Sequence, residues 1–360
     1  MEALAHVQEP RKTPTIQDVA RFAKVSTATV SRALSAPGKV SEATRARVSE
    51  AVRVTGYTLN QTARSLRQRS AKAILVALPD IRNPFFSSIL DAIEREAALR
   101  GYGVLVINLY FGRQTVGRLQ DFLLSNRADG LLLLDGSIEV AQLQSLRDQA
   151  AMVPVVIACE EIPKSGFHTV LTDNIEAAER ATRHLIDLGH TRIGHLLGPE
   201  QNIVARERHS GFARALDKVG LEVRPEWCLR GNFEMETGYA AAARFLSLPE
   251  RPTAFFAAND ESAIGFLSGL RQHGIICPRD ISVIGFDDLG VTPHIDPPLT
   301  TMRQPREMLG RMAAEALIDM IEGSANREKP LRIVLRSELV VRESTGRPPS
   351  VERADAPALP

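Results

Sequence analysis

The segment TIQDVARFAKVSTATVSRAL, residues 15–34, reads as two short helices joined by a tight turn. Thr15 and Asp18 have the spacing of a capping box, and Ile16, Val19, Ala20 and Ala23 recur at i, i+3, i+4 and i+7. Lys24-Val25 make the turn. Ser26 then caps a second helix whose Val30, Ala33 and Leu34 share one face, leaving Thr27, Ala28, Ser31 and Arg32 to point outward from its N-terminal part. Short side chains and one guanidinium on the outer face of a second helix are what a helix-turn-helix needs to enter the major groove of DNA. Pro37-Gly38 forms a loop, and a third helix begins at Ser41, runs through Val48, Ala51 and Val52, and ends at Gly56-Tyr57 with Tyr57 folded back on the small core.

Charge sharpens this reading. Residues 1–72 hold 13 Lys and Arg against 5 Asp and Glu, whereas the rest of the 360-residue chain holds 31 against 38. A basic head on an acidic body points to a polyanionic partner for the head alone. Between head and body lies Asn60-Gln61-Thr62-Ala63-Arg64-Ser65-Leu66-Arg67-Gln68-Arg69-Ser70, basic, helix-permissive and too short to be a stable helix alone. It is either a linker or a hinge that becomes helical on DNA and wedges Leu66 between base steps from the minor groove.

From Ala73 onward strands and helices alternate. The apolar runs at 73–78, 103–107, 130–134 and 155–158, with a helix from Phe86 to Arg100, have the rhythm of a parallel sheet. The rhythm restarts after Asp173, with a helix from Asn174 to Leu188 and strands at 192–197, 253–257 and 281–286. The expected fold class is α/β: an N-terminal three-helix helix-turn-helix head plus hinge, then two doubly wound parallel α/β lobes with a cleft where strand C-terminal ends converge. The expected boundaries are a disordered tail at 1–12, the head at 13–59, a hinge helix at 60–72, the two-lobed body at 73–345 and a disordered, proline-bearing tail at 346–360. Within the body, lobe 1 spans about 73–172 and 305–332, and lobe 2 about 173–304 and 333–345.

At this point the chain resembles the LacI-type bacterial transcriptional regulators, over about residues 13–345. The resemblance rests on Asp18-Val19-Ala20 through Val25–Arg32, Gly56-Tyr57, Ala63-Arg64-Ser65-Leu66, Asn83-Pro84-Phe85-Phe86, Arg208-His209-Ser210-Gly211-Phe212, Gly285-Phe286-Asp287-Asp288 and Pro298-Leu299-Thr300-Thr301, seven motifs in order. Residues 80–86, Gly231-Asn232-Phe233-Glu234 and Asp296–Thr301 with Gln304-Pro305 bring it nearest to the nucleoside (cytidine) and purine repressor branch. The resemblance implies a fold like that of periplasmic binding proteins and a cytoplasmic homodimer. It also implies two heads on a pseudo-palindromic operator, paired hinges over its centre, and a small-molecule effector in the cleft.

Carried onto this sequence, the DNA-binding residues are Thr15, Ser26, Thr27, Ala28, Thr29, Arg32, Arg64 and Leu66. Arg32 bonds a guanine edge or a phosphate, and Thr15 and Ser26 sit where helix N-termini meet phosphates. The effector-binding positions are Phe85, Phe86, Asn202, Val204, Arg208, Phe233, Glu234, Asn259 and Asp287. Three phenylalanines sandwich a flat ring in this reading, and Arg208 and Asp287 fix polar edges or ribose hydroxyls. In the loop after Gly198-Pro199 the purine branch presents a basic and a hydroxyl side chain where this chain has Asn202 and Val204. That argues against a purine base held there and leaves a nucleoside, or a pentose or hexose acting on a carbohydrate-catabolism repressor. No C-terminal leucine heptad is present, so a dimer is expected instead of a tetramer.

Other classes fit less well. Gly101-Tyr102-Gly103 precedes a strand instead of following one, and no P-loop occurs, so no enzyme and no cofactor are expected. His184, His190 and His195 span a helix end, a turn and a strand, which builds no metal site, and His195 reads as a satisfied core residue. Glu160-Glu161, beside Ile162-Pro163, read as solvated loop carboxylates. Cys159, Cys228 and Cys277 lie far apart and read as buried free thiols. A solute-binding protein shares the two-lobe cleft but not the basic head. No apolar leader and no apolar run of about 18 residues is present, so neither secretion nor a membrane partner is expected.

Overall fold

The computed structural model describes residues 14–57, 70–109, 115–149, 153–324 and 330–349. The chain divides into two compact units, 1–69 and 70–360. In the first, α1 (Ile16–Ala23), α2 (Thr27–Ser35) and α3 (Glu42–Thr55) enclose a core of Val19, Ala20, Ala23, Val30, Ala33, Val48 and Ala51, with Tyr57 packed against it. The Asp18 carboxylate accepts from both the Thr15 backbone N–H (2.9 Å) and the Thr15 hydroxyl (2.7 Å), fixing the start of α1. Lys24 closes the helix in the left-handed region (φ 52°), where its own N–H and that of Val25 reach back to Arg21 and Ala20. The Ser26 hydroxyl accepts the Thr29 N–H at 3.1 Å and starts α2.

The second unit contains two sheets, each six-stranded among the described residues. In chain order its elements begin β1 (Ala73–Leu78), α4 (Phe85–Leu99), β2 (Gly103–Asn108), α5 (Thr115–Leu124), β3 (Gly130–Leu133), α6 (Val140–Gln149), β4 (Val155–Cys159) and β5 (His168–Thr172). Next come α7 (Asn174–Asp187), β6 (Ile193–Leu197), α8 (Ile203–Asp217), β7 (Cys228–Arg230), α9 (Met235–Leu246), β8 (Ala254–Ala257), α10 (Asp260–Gln272) and β9 (Ser282–Asp287). β10 (Thr300–Arg303), α11 (Arg306–Glu322), β11 (Arg332–Leu335) and β12 (Glu338–Val340) complete it.

The first sheet has the order β11-β5-β4-β3-β1-β2, all parallel, and the second β12-β10-β9-β8-β6-β7, parallel except for the antiparallel β10–β12 pair. The inner strands of each sheet are buried on both faces. Ile89, Ile93, Leu309 and Leu317 of α4 and α11 cover one side of the first, and Leu119, Leu123 and Leu143 of α5 and α6 the other. In the second, Phe245 and Phe266 of α9 and α10 oppose Leu185 and Phe212 of α7 and α8. Burial on both faces is why β1, β3 and β4 are nearly unbroken apolar runs.

The chain passes between the sheets three times, at Asp173, between Arg303 and Arg306, and between Leu335 and Glu338. The last passage falls after Leu335, not after residue 332, because Arg332–Leu335 pair with Thr169–Thr172 in the first sheet. Two further expectations shift. Of the hinge at 60–72, residues 60–69 lie outside the described ones. Ser70, Ala71 and Lys72 are not helical: the Asp129 carboxylate accepts from the Ser70 hydroxyl and from the Ala71 and Lys72 N–H groups at 2.7–2.8 Å, leading the chain into β1. At the other end, residues 346–349 are ordered on the second lobe, with the Gly346 carbonyl accepting from His190 (2.9 Å) and Ser282 (3.2 Å). The tail at 1–12 and residues 350–360 lie outside the described residues.

Candidate functional site

On the head, Ser26, Thr27, Ala28 and Arg32 are exposed along one side of α2, and Thr15 is exposed at the start of α1. Thr29 is half-buried and its hydroxyl is 2.9 Å from that of Ser26, so it supports the cap. Ser31, expected outside, is half-buried. Arg64 and Leu66 lie outside the described residues. The exposed set presents hydroxyls and a methyl at the start of α2 and a guanidinium in its last turn, the surface composition that reads base edges and phosphates.

In the second unit a cavity of about 720 Å³ opens between the lobes, and Phe85, Phe86, Asn202, Val204, Arg208, Phe233, Glu234, Asn259 and Asp287 all line it. Except for Arg208, which lies inside α8, they sit at or beside element termini. Asn83 accepts the Phe85 N–H at 2.8 Å and starts α4, setting the two rings edge to face with centroids 5.1 Å apart, both largely buried. Asn202 caps α8 through the Ala205 N–H (3.0 Å) and Asn259 caps α10 through the Ser262 N–H (3.1 Å). The Asn259 amide also donates to the Phe233 carbonyl (3.0 Å), tying down a turn in which Asn232 and Phe233 both have positive φ. Phe233 lies against Gly198, where any Cβ would fall 2.5 Å from its ring.

Arg208 is the polar centre. It donates to Asn174 Oδ1 (3.1 Å) and the Ala258 carbonyl (2.5 Å), lies 3.7 Å from Asp287 Oδ1, and stacks over Phe286 at 3.8 Å. Its partner is therefore Asp287, not the neighbouring Glu207, which accepts from Asn174 instead (3.1 Å). Asp287 also accepts from Gln304 (2.7 Å). Burial drives its carboxyl up, and Arg208 and Gln304 hold it back. Beneath it Asp260, fully buried, accepts from the Leu289 N–H (2.9 Å) and the Thr301 hydroxyl (2.6 Å).

Several lining residues were not among the expected ones, notably Asp80, Glu160, Glu236, Glu261 and Gln304. Glu160 overturns its expectation as a solvated carboxylate: it is 9% exposed and faces the cavity, whereas Glu161 pairs with Arg332 (2.8 Å). The three histidines do not converge. His184 bonds Thr345, His190 bonds Thr253 and Ser282, and His195 donates to the Phe256 carbonyl at 2.8 Å. His195 is only half satisfied, its Nε2 being buried without a partner. Of the cysteines Cys159 is buried, while Cys228 and Cys277 are half-buried, and all three are free.

A head with an exposed reading helix and a two-lobed body with a ligand-sized cleft define the class of ligand-responsive, DNA-binding transcriptional regulators. Residues 15–60 match the family described as bacterial regulatory proteins, lacI family, and residues 182–345 match the periplasmic binding protein-like domain. The HTH-type transcriptional repressor CytR of Escherichia coli (strain K12) is 40% identical over 335 residues, covering 92% of this chain and 96% of that protein. Among solved structures, a transcriptional regulator CelR–cellobiose complex superposes with a TM-score of 0.70 at 32% identity (92% and 99% of the two chains). A lac repressor dimer bound to operator and the anti-inducer ONPF superposes with a TM-score of 0.82 at 26% identity (93% and 100%). The chain belongs to the LacI family of bacterial transcriptional regulators.

Proposed function

We propose that this regulator is a cytoplasmic repressor that binds a pseudo-palindromic operator as a homodimer and takes a nucleoside-like effector in its inter-lobe cleft. The observation that carries the effector reading is the meeting of Phe85, Phe86 and Phe233 with the Arg208–Asp287 pair in one cavity. Aromatic walls accept a flat base, and a buried cation–carboxylate pair bonds hydroxyls from both sides. Dimeric operator binding rests on the likeness to the operator-bound lac repressor dimer. Among the described residues no helix is long and apolar enough to cross a membrane.

A sugar effector is the second reading, favoured by the likeness to the cellobiose-bound regulator. In either case the effector acts by population shift, changing the lobe arrangement and with it the affinity for operator. A thermal-shift panel of nucleosides, free bases, pentoses and hexoses tests this, since a ligand at about 100 times its Kd stabilises the protein by about 2.7 kcal/mol. Stabilisation by nucleosides alone supports the first reading, and by a simple sugar alone the second. No response from any member overturns both.

A further inference from the structure

The cavity wall carries six carboxylates, Asp80, Glu160, Glu234, Glu236, Glu261 and Asp287, and two arginines. Both arginines are committed. Arg82 grips both oxygens of Asp80 at 2.7–3.0 Å, and Arg208 is held by Asp287, Asn174 and the Ala258 carbonyl. Among the described residues, no ion pair engages Glu160, Glu234, Glu236 or Glu261.

Glu160 differs from the other three in being fixed. It follows β4 in the first lobe, where its Oε2 accepts the Gly136 N–H at 2.7 Å. Its Oε1 accepts from the amide of Asn202, the cap of α8 in the second lobe, at 2.9 Å. Gly136 permits this approach, because a Cβ there would sit 2.8 Å from Glu160 Oε2. The carboxylate is thus locked into the cavity wall where the lobes meet, with acceptor capacity and, among the described residues, no ion pair of its own.

We propose that Glu160 is a specificity-determining residue of this cleft: it selects effectors that present an N–H or O–H donor to the first lobe and rejects phosphorylated ones. The inference rests on the cleft being the effector site and deepens that reading. A buried carboxylate without an ion pair, reached by Arg208 only through space, is an electrostatic demand only partly met. A donor on the ligand meets it; a phosphate adds like charge to a wall with no free cation.

The groups facing Glu160 are Asp135 after β3, Arg208 on α8 and the adjacent Cys159. Burial, then Asp135, pushes the Glu160 carboxyl up to about 7, opposed by the Asn202 and Gly136 bonds and by Arg208. A donor ligand favours the ionised form, so binding releases a proton near neutrality and affinity rises with pH up to about 7.

The test is calorimetric titration of the full chain with cytidine, uridine, adenosine and ribose, each beside its 5′-phosphate, from about pH 6 to about pH 8. The expected result is binding at least about tenfold tighter for the unphosphorylated member, strengthening as pH rises. Glu160→Gln is expected to bind that member more weakly and to flatten the pH profile. Equal or tighter binding of the phosphorylated member to the natural protein overturns the proposal, as does a folded Glu160→Gln variant with unchanged affinity and pH profile. Silence from every compound overturns the nucleoside-or-sugar reading instead. The carboxylate proposal is then decided by thermal shifts with inorganic phosphate and with ethanolamine at matched ionic strength, and greater stabilisation by phosphate overturns it.

Discussion

Arg208 and Asp287 stand 3.7 Å apart at the base of the cleft, each side chain only 6% exposed. Removing one partner of such a pair leaves an uncompensated buried charge, at a cost of about 3–5 kcal/mol. Asp287→Ala is therefore expected to lower the unfolding temperature and abolish the effector response. Asp287→Asn still accepts from Gln304 and is expected to fold while losing that response. Thermal unfolding with and without effector checks both, and a full ligand shift in Asp287→Asn refutes the assignment.

On the head, Arg32→Ala is expected to weaken operator binding by about 1–3 kcal/mol. The pattern separates its two roles. Loss confined to one base position identifies a guanine contact, and uniform loss with a salt slope shallower by about one identifies a phosphate contact. Titration of operator variants at several salt concentrations reads this out, and unchanged affinity for all of them removes Arg32 from the interface.

Two glycines predict opposite outcomes. At Gly265 a Cβ would lie 1.9 Å from the Met235 backbone carbonyl, where α9 and α10 pack closely, so Gly265→Ala is expected to cost upwards of about 1–3 kcal/mol. At Gly198 a Cβ would meet the far edge of the Phe233 ring at 2.5 Å and the Ala205 Cβ at 2.8 Å, side-chain atoms of the cavity wall and not backbone. Gly198→Ala is expected to fold near normally but to alter effector affinity. Chemical denaturation and ligand titration of both variants decide, and a reversed pattern contradicts the packing described.

Acid sensitivity has a specific source in the second lobe. His195 is fully buried between Phe256 and His209, with ring centroids 4.8 and 5.4 Å away. Burial pushes it down to about 3. The unfolded chain thus binds a proton that the folded protein refuses, and this stability is present above about 6.5 and lost as pH falls toward 3. Glu160 and Glu261, both pushed up to about 7, act in the opposite sense, losing their contribution as pH rises to that value. The comparison to make is His195→Gln, which keeps a donor for Phe256 but does not titrate. Its stability relative to the natural protein is expected to improve steadily as pH falls below 6.5, by denaturant midpoints, and a constant difference excludes His195 as the source.

What the chain discloses locally is uneven. Helix starts were legible because capping chemistry is short-range, as at Ser26 and Asp173, and α4 and α7 fall within a residue of expectation. Buried strands were legible as apolar runs. β5, β7, β10, β11 and β12 were not, being short or rich in Thr, His and Arg, and their strand character comes from a neighbour far along the chain. β2 misled in the other direction. It is as apolar as the inner strands, yet as the sheet's edge it leaves Leu105 and Val106 exposed, and edge position is a property of topology. The cleft residues taken from motifs converge in one cavity, whereas Glu160 was misread because its burial depends on Asn202, 42 positions away in the opposite lobe.

The triple passage between sheets also orders events at the ribosome. Neither lobe is complete until its last strand, β11 or β12, has been made, because each sheet takes its final member from residues 332–340. The core of the three-helix unit is complete by Tyr57. At about 5–20 residues per second, roughly 15–60 s separate a nascent chain that has its reader from one that has its sensor. For that interval the growing polypeptide carries its reading helix without the cleft that answers to a small molecule.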